Sequence, residues 1–173
     1  LARKICNDNA MMDYLDIQWS HKWAPNENFS RELLELFTIG KGPQIGPGNY
    51  TTYTEADIQE AAKLLTGFRE NEEWGNASLF DPDTGLPGCN LDLNQHDTDD
   101  KVFSDAFASA AFPSPVTIVG RNTEAGMHEE LDDLIEMIFA QSATAENIAR
   151  KLYRFFVHYD ITTEIETDII QPL

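Results

Sequence analysis

The sequence predicts a mainly α-helical protein: an orthogonal or irregular bundle of about five to six helices, with a long loop region that contains short β-strands. Apolar residues recur at helical spacing in several stretches, which are bounded by capping residues, glycine or proline. This periodicity disappears from Phe68 to Pro115, a length typical of functional loops or of loops held by short strands. With 173 residues, 42% of them hydrophobic and 24% charged, the chain has the size and composition of one globular domain.

The first predicted helix covers residues 3–16, although Asn7 and Asn9 could break its early part because asparagine favours caps and turns. A later helix begins at Thr54. There the sequence Thr54-Glu55-Ala56-Asp57 resembles a capping box in which Asp replaces the usual Glu, and an apolar stripe follows as far as Gly67.

The helix between these two carries more charge near its start than capping requires. It covers about residues 28–39: Pro25 ends the preceding segment, an Asn caps the helix, and Gly40 ends it. Its apolar positions follow helical spacing and are Phe29, Leu33, Leu36 and Phe37. The additional carboxylates therefore indicate either an ion-pair network or a functional site.

The long loop region is followed by two further helices. Three short runs could supply its strands: Ser78–Phe80, Leu91–Leu93 and Val116–Val119. The first of the two helices runs from about Glu124 to Ala140, and the second from Thr144 as cap to Tyr159, with Ile148, Leu152, Phe155 and Phe156 directed inward. A short amphipathic piece, Glu164 to Ile170, follows, and we expect the chain to be a single domain excised from the central part of a larger helical protein.

Composition narrows the classes of partner. Twelve basic and thirty acidic residues give a net charge of −18, and so acidic a surface repels the phosphate backbone of nucleic acid and disfavours an anionic membrane. No apolar run reaches the ~18 residues of a membrane span. Cations, basic proteins and neutral substrates remain as partners, while the oligomeric state is not readable. Cys6 and Cys89 could form one disulfide in a secreted protein or be two unrelated thiols.

The acidic helix start is the first candidate site. Asn28, Glu32 and Glu35 share one helix face, and Arg31 lies within one turn of both Glu27 and Glu35. In one interpretation this is a capped helix with paired charges. In the other, the carboxylates and the amide oxygen bind a divalent cation such as calcium, magnesium or manganese.

The second candidate site is His96-Asp97, with Lys101 close behind. A histidine beside carboxylates in an irregular segment could be a metal ligand or a general base. The alternative is a turn in which Asp97 or Asp99 accepts backbone hydrogen bonds and His96 packs at the end of a loop. A fold that brings His96 close to Glu32 or Glu35 would favour the functional interpretation.

Three further patterns are weaker evidence for a functional site. Asp81-x-Asp83-x-Gly85 resembles the start of a calcium loop, but a turn on Pro82 explains it more simply. His128-Glu129-Glu130 has the first half of a zinc-protease helix and lacks the second histidine. Five aromatic residues could line a sugar-binding surface, although loop-anchoring core residues are the usual explanation; they are Trp19, Trp23, Phe68, Trp74 and Phe80.

Four blocks of sequence carry a resemblance to a known family. They are PNENFSRELLELFTIG at 25–40, YTEADIQEAAKLLTGF at 53–68, HDTDDK at 96–101 and TAENIARKLYRFFV at 144–157. In order and spacing they resemble the bacterial family known as domain of unknown function 1800. The resemblance implies a mostly helical fold and a periplasmic or extracellular location of the parent protein. It implies no established activity, cofactor or catalytic residue.

Two hypotheses of function follow. The first is a secreted helical binding or assembly module, with a protein or carbohydrate partner, in which the polar residues above are structural. The second is a divalent-metal-assisted hydrolase that uses Glu27, Glu32, Glu35, His96 and Asp97 in a shared pocket, with Glu32 and His96 as ligand or base and Arg31 orienting a carboxylate. The first is favoured because no complete catalytic constellation is visible, and whether the chain is an enzyme stays open.

Overall fold

A computed structural model describes residues 1–71 and 88–172 of the chain. Seven α-helices lie in these residues: α1 (Ala2–Cys6), α2 (Asn9–Tyr14), α3 (Glu27–Glu32), α4 (Glu55–Leu64), α5 (Glu124–Phe139), α6 (Ser142–Phe156) and α7 (Thr163–Ile165). Single turns of 3₁₀-helix cover Ile17–Trp19 and Asp105–Phe107, and π-helical turns cover Leu33–Phe37 and Glu166–Ile170. None of the helices in the described ranges is long and apolar enough to cross a membrane.

Six short strands form three antiparallel pairs in the same part of the chain. They are β1 (Gln44–Gly46), β2 (Asn49–Tyr50), β3 (Phe68–Arg69), β4 (Asn90–Leu91), β5 (Lys101–Phe103) and β6 (Val116–Ile118), paired in the order β1–β2, β3–β4 and β5–β6. The fold is therefore rich in helix, as predicted, but mixed rather than plainly all-α. Two of the predicted strands are confirmed within a residue or two, at β4 and β6, while Ser78–Phe80 lies outside the described residues.

The core is built around α4 and α5. Ile58, Ala61 and Leu64 of α4 and Leu131 and Leu134 of α5 are fully buried. Apolar residues of α2, α3 and the β5–β6 pair complete the same cluster, among them Met12, Phe29, Phe103 and Ile118. Because α4 and α5 carry apolar residues at a spacing of three and four, each presents a continuous apolar face to the core.

Capping residues begin α3 and α4, as the sequence predicted. Thr54 and Asp57 form a reciprocal capping box at α4, as predicted. Asn26 caps α3, which begins at Glu27 and continues as a π-helical turn. The first predicted helix is broken, since α1 ends with Asn7 as its C-cap and Asp8 caps α2 by accepting from the Met11 N–H.

The apolar face of α6 does not lie where the sequence predicted. The helix begins after Gln141, and Thr144, the predicted cap, lies inside the first turn, where its Oγ1 donates to the Ile138 carbonyl. Leu152, Phe155 and Phe156 are 53%, 82% and 74% exposed, so the prediction that they face inward is wrong for the described residues. The reason is that α6 contacts α5 at its first turn and the Leu33–Phe37 and Glu166–Ile170 turns through polar side chains such as Arg150 and Lys151. These contacts leave Leu152, Phe155 and Phe156 largely uncovered.

Candidate functional site

The acidic start of α3 forms an ion-pair network centred on Arg31. The Arg31 guanidinium donates two hydrogen bonds to Glu55, at 2.9 Å to Oε1 and 2.7 Å to Oε2. It lies 3.4 Å from Glu27 and 3.7 Å from Glu35 on its own helix. The Arg31 hydrogen bonds outweigh burial and hold the pKa of Glu55 below its ordinary value. One cation thus neutralises carboxylates from two helices, α3 and α4.

Glu35 has additional partners that reduce its capacity to bind a cation. The Tyr53 hydroxyl donates a short hydrogen bond to Oε1 of Glu35, and Lys41 Nζ lies 3.2 Å from the same oxygen. Burial, and secondly this hydrogen bond, raise the pKa of Tyr53. Because the oxygen already accepts from a hydroxyl and an ammonium group, a metal ion would have to displace both.

Glu32 and Asn28, the remaining members of the predicted cation site, stand apart from this network. Neither side chain has a hydrogen bond or ion pair within the described ranges; the backbone N–H of Asn28 donates to the Asn26 side chain that caps the helix. Asn28 is exposed and Glu32 is partly exposed. Of the predicted cation ligands, therefore, only Glu27 and Glu35 are joined, and they are joined through Arg31.

His96 belongs to a second, fully buried cluster. Its Nδ1 lies 2.9 Å from the Thr66 carbonyl oxygen, and its Nε2 lies 3.2 Å from Oε1 of Glu130. Lys101 Nζ donates to the other carboxylate oxygen of Glu130 at 2.8 Å. The side chains of His96, Lys101 and Glu130 have no exposed surface. A carbonyl oxygen can only accept, so the contact with Thr66 places a ring proton on Nδ1 of His96.

Asp97 contributes mostly through its backbone. Its N–H donates to Thr66 Oγ1 at 2.8 Å, and its carbonyl oxygen accepts from Lys101 Nζ at 2.5 Å. The carboxylate accepts from the Asp99 N–H and lies 4.0 Å from Lys101. This is the turn in which Asp97 accepts a backbone hydrogen bond, one of the two alternatives drawn from the sequence.

Several elements hold the buried cluster in place. Gly67 has a positive φ of 81°. A Cβ at this position would meet the Asp92 carbonyl oxygen at 2.6 Å. The loop that carries His96 is therefore packed directly on the end of α4. Glu130 lies on α5, and Lys101 is the first residue of β5.

Opposing effects act on the carboxylate of Glu130. Burial alone would raise its pKa, but hydrogen bonds from His96 and Lys101 and the Lys101 charge favour the ionised form. The Arg121 N–H adds a further hydrogen bond of 2.5 Å to Oε1. Together these donors hold the pKa of Glu130 below its ordinary value of 4.5. The ionised carboxylate is thus matched by one ammonium group and one imidazole ring.

The acidic start of α3 and His96 belong to separate hydrogen-bond networks. The hydrogen bonds of His96 go to Thr66 and Glu130, and none of its described partners is a carboxylate of α3. Within residues 1–71 and 88–172, no group of three or more histidine, cysteine, aspartate or glutamate side chains has the geometry of a metal site. The Asp81-x-Asp83-x-Gly85 pattern lies outside these residues.

Glu130 is the charged residue that sequence reasoning missed. The sequence pattern His128-Glu129-Glu130 indicates only an incomplete metalloprotease motif. A signal was nevertheless present, because Glu130 precedes Leu131 and lies four residues before Leu134 on the apolar face of α5. A carboxylate on an apolar face requires a buried partner, and Lys101 and His96 supply it.

A third feature is an apolar groove along α6. Its cavity volume is about 620 Å³, and its lining comes from the end of α5, from α6 and from the last π-helical turn: Phe139, Thr144, Ala145, Ile148, Ala149, Leu152, Tyr153, Phe156, Val157, Ile169 and Ile170. Thr144 and Tyr153 contribute the hydroxyl groups of this lining, and that of Thr144 already donates to the Ile138 carbonyl. The groove therefore offers apolar contact and little hydrogen bonding.

Comparison with known proteins identifies the family. A family model described as "Protein of unknown function (DUF1800)" matches residues 1–172. The chain belongs to the DUF1800 family. No curated protein and no solved structure matches it. Membership confirms the resemblance seen in the four sequence blocks, and a DUF1800 domain brings no assigned activity with it.

The aromatic residues of this DUF1800 chain do not form the predicted sugar-binding surface as a set. Trp19 and Trp23 are largely exposed, whereas Phe68 is fully buried and stacks edge-on against His128, with ring centroids 6.4 Å apart. Trp74 and Phe80 lie outside the described residues. Phe68 is thus a core residue, the usual explanation for an aromatic residue next to a loop.

Proposed function

We propose that this DUF1800 chain is a binding module of an exported protein, and that the groove along α6 receives an apolar helix of a partner protein. The observation that carries the proposal is the exposed apolar stripe of α6. Large apolar residues that remain uncovered together mark an interaction site more often than isolated ones do. Leu152, Phe156 and Val157 line the groove and are each more than half exposed.

The spacing of the stripe supports a helical partner. Ala145, Ile148, Ala149, Leu152 and Phe156 follow the intervals of three and four residues that place side chains on one helix face. Such a face, flanked by a second wall, is the geometry in which an amphipathic helix binds in a groove. Here Ile169 and Ile170 provide the second wall.

The chemistry of the lining favours protein over carbohydrate. A sugar-binding site needs hydrogen-bonding groups to replace water on the sugar hydroxyls. The Thr144 hydroxyl already donates within the protein, which leaves Tyr153 as the side-chain hydroxyl able to serve a ligand among the groove-lining residues. Phenylalanine and tyrosine, in contrast, are typical of the buried centre of protein interfaces.

The charges on α6 indicate which kind of partner helix the groove would bind. Arg150, Lys151 and Arg154 fall within α6 together with a single acidic residue, Glu146, in a chain whose net charge is −18. Arg150 is already paired with Glu166 and Glu146. Lys151, which donates to the neutral Leu36 carbonyl oxygen, and Arg154 therefore carry the positive charge that remains on α6. A partner helix with acidic residues beside its apolar face matches this surface.

The proposed location follows from the family resemblance. The family commonly carries secretion signals, and we place the parent protein in the periplasm or outside the cell for that reason. A net charge of −18 favours solubility in such a medium.

A crosslinking experiment tests the function. A photoreactive amino acid replaces Leu152 in the full-length protein, in the cells that produce it, and the crosslinked peptide is identified by mass spectrometry. The peptide is then synthesised, and its affinity is measured for the wild type, for Phe156→Asp and for Ile45→Asp. Ile45 is 70% exposed on β1 and is not among the residues that line the groove, so it is a matched control.

We expect a peptide from another protein that forms an amphipathic helix, with affinity lowered at least about tenfold by Phe156→Asp and unchanged by Ile45→Asp. Crosslinks to a second copy of this chain, to carbohydrate or to nothing would contradict the proposal. So would an affinity that Phe156→Asp leaves unchanged.

A further inference from the structure

Cys6 and Cys89 lie beside the same backbone bridge, although they are far apart in sequence. Asp8 and Gly88 form an antiparallel β-bridge, so in that register Cys89 lies opposite Asn7, the residue that follows Cys6. The Cys89 thiol contacts the Asn7 side-chain oxygen at 3.6 Å. Both cysteines belong to, or pack against, the same core cluster.

The thiol of Cys89 lies against the C-terminal end of α1, where it donates to the Asn7 side-chain oxygen. Asn7 directly follows Cys6, and it lies four residues after Arg3 while Cys6 lies three residues after it, so these residues share the same side of the helix end. Burial, and secondly the nearby Cys89, raise the pKa of Cys6. The side chain of Cys89 is thus directed at the α1 face that carries Cys6.

We propose that Cys6 and Cys89 form a disulfide bond in an oxidising environment and that this bond fastens α1 to the strand segment beginning at Gly88. In the present structure both are free thiols. A disulfide requires Cα atoms within about 7 Å of each other. The Asp8–Gly88 bridge and the contact of the Cys89 thiol with Asn7, the residue after Cys6, bring the two cysteines into the same neighbourhood. The proposal does not depend on the groove along α6, because it involves different residues.

The chemistry requires an external disulfide as oxidant. The Cys89 thiolate, which is the more accessible of the two, attacks a sulfur atom of that oxidant and releases one thiol. The Cys6 thiolate then attacks the Cys89 sulfur of the mixed disulfide and releases the second thiol. The two cysteines together lose two protons and two electrons, and the oxidant becomes two thiols.

Burial decides when this bond forms and how long it lasts. Burial raises the pKa of both thiols to about 12, chiefly by disfavouring the thiolate. Folded protein therefore supplies little thiolate, and the bond forms mainly during folding. Once formed, its sulfurs are poor leaving groups and exchange slowly, which is the behaviour of a structural disulfide and not of a catalytic one.

Thiol counting and peptide mapping test the proposal. The protein is refolded in a mixture of oxidised and reduced glutathione, and free thiols are counted after denaturation. Trypsin cleaves after Lys4, Lys22, Arg69 and Lys101, so Cys6 and Cys89 lie on separate peptides. We expect no free thiol and one pair of peptides joined by a disulfide, lighter than the separate peptides by two hydrogen atoms.

Melting temperature tests the structural consequence. The oxidised wild type should melt several degrees above the reduced wild type, since the bond restricts the unfolded chain. Cys89→Ala should melt at the same temperature with and without reductant. Two free thiols after refolding, or glutathione attached to each cysteine, would overturn the pairing. A joined peptide pair without a rise in melting temperature would overturn the fastening role of the bond.

Discussion

Lys101 Nζ lies 2.8 Å from Oε2 of Glu130, and neither side chain reaches solvent. Removing one partner of a buried pair leaves the other charge without compensation, which costs about 3–5 kcal/mol. We expect Glu130→Gln to lower the free energy of unfolding by about this amount, as measured by urea denaturation. Glu129→Gln is the matched control, because Glu129 is the next residue of α5 and its side chain is 64% exposed.

The control should change stability by less than about 1 kcal/mol, the usual range for an exposed ion pair. Lys101→Met combined with Glu130→Leu should be less destabilising than Glu130→Gln alone, since no buried charge is then left with only one partner. Equal losses of stability in Glu129→Gln and Glu130→Gln would show that the buried pair contributes no more to stability than an exposed ion pair.

Glu130 should also make stability depend on pH. Its folded pKa is below the ordinary value of 4.5, so ionised Glu130 stabilises the fold above about pH 4.5, and this contribution is lost as the pH falls through the folded pKa. We expect the difference in unfolding free energy between wild type and Glu130→Gln to be constant near neutral pH. It should shrink below about pH 4.5, in urea titrations of both proteins at each pH. A difference that grows on acidification would contradict this sign.

Gly67 allows the loop carrying His96 to approach the end of α4. Alanine at this position would have φ of 81° and a Cβ 2.6 Å from the Asp92 carbonyl oxygen. Gly67→Ala should therefore destabilise the protein by about 1–3 kcal/mol. At Gly46 the nearest atom to an added Cβ is 3.7 Å away, so Gly46→Ala is the control and should change the thermal midpoint little.

Asp57 connects α4 to the residue that follows β5. Its carboxylate accepts from the Thr54 N–H at 2.6 Å, from the Ser104 N–H at 2.6 Å and from the Ser104 hydroxyl at 2.7 Å. Asp57→Ala leaves these partly buried donors without their acceptor, and we expect a loss of about 2–4 kcal/mol. Thr54→Ser keeps the cap and should lie within about 0.5 kcal/mol of wild type in the same chemical denaturation experiment.

Local chemistry made parts of the fold predictable. The capping box of α4 depends on Thr54 and Asp57, which are three residues apart, and Gly40 and Gly67 both have positive φ where the sequence predicts a helix to end. α5 was located almost to the residue, because its apolar spacing is strong over four turns. The partners of Glu130 could not be predicted, since His96 and Lys101 reach it from a loop and a strand about thirty residues away.

The sequence by itself determined the family, the start of α4, the net charge and the helix-rich class. These properties depend on composition and on residues within one or two turns of each other. Only the tertiary structure decided that His96 pairs with Glu130, that Arg31 binds Glu55 across two helices, and that the apolar face of α6 stays open. Periodicity shows that a face is apolar, but whether another element covers it depends on contacts between distant parts of the chain.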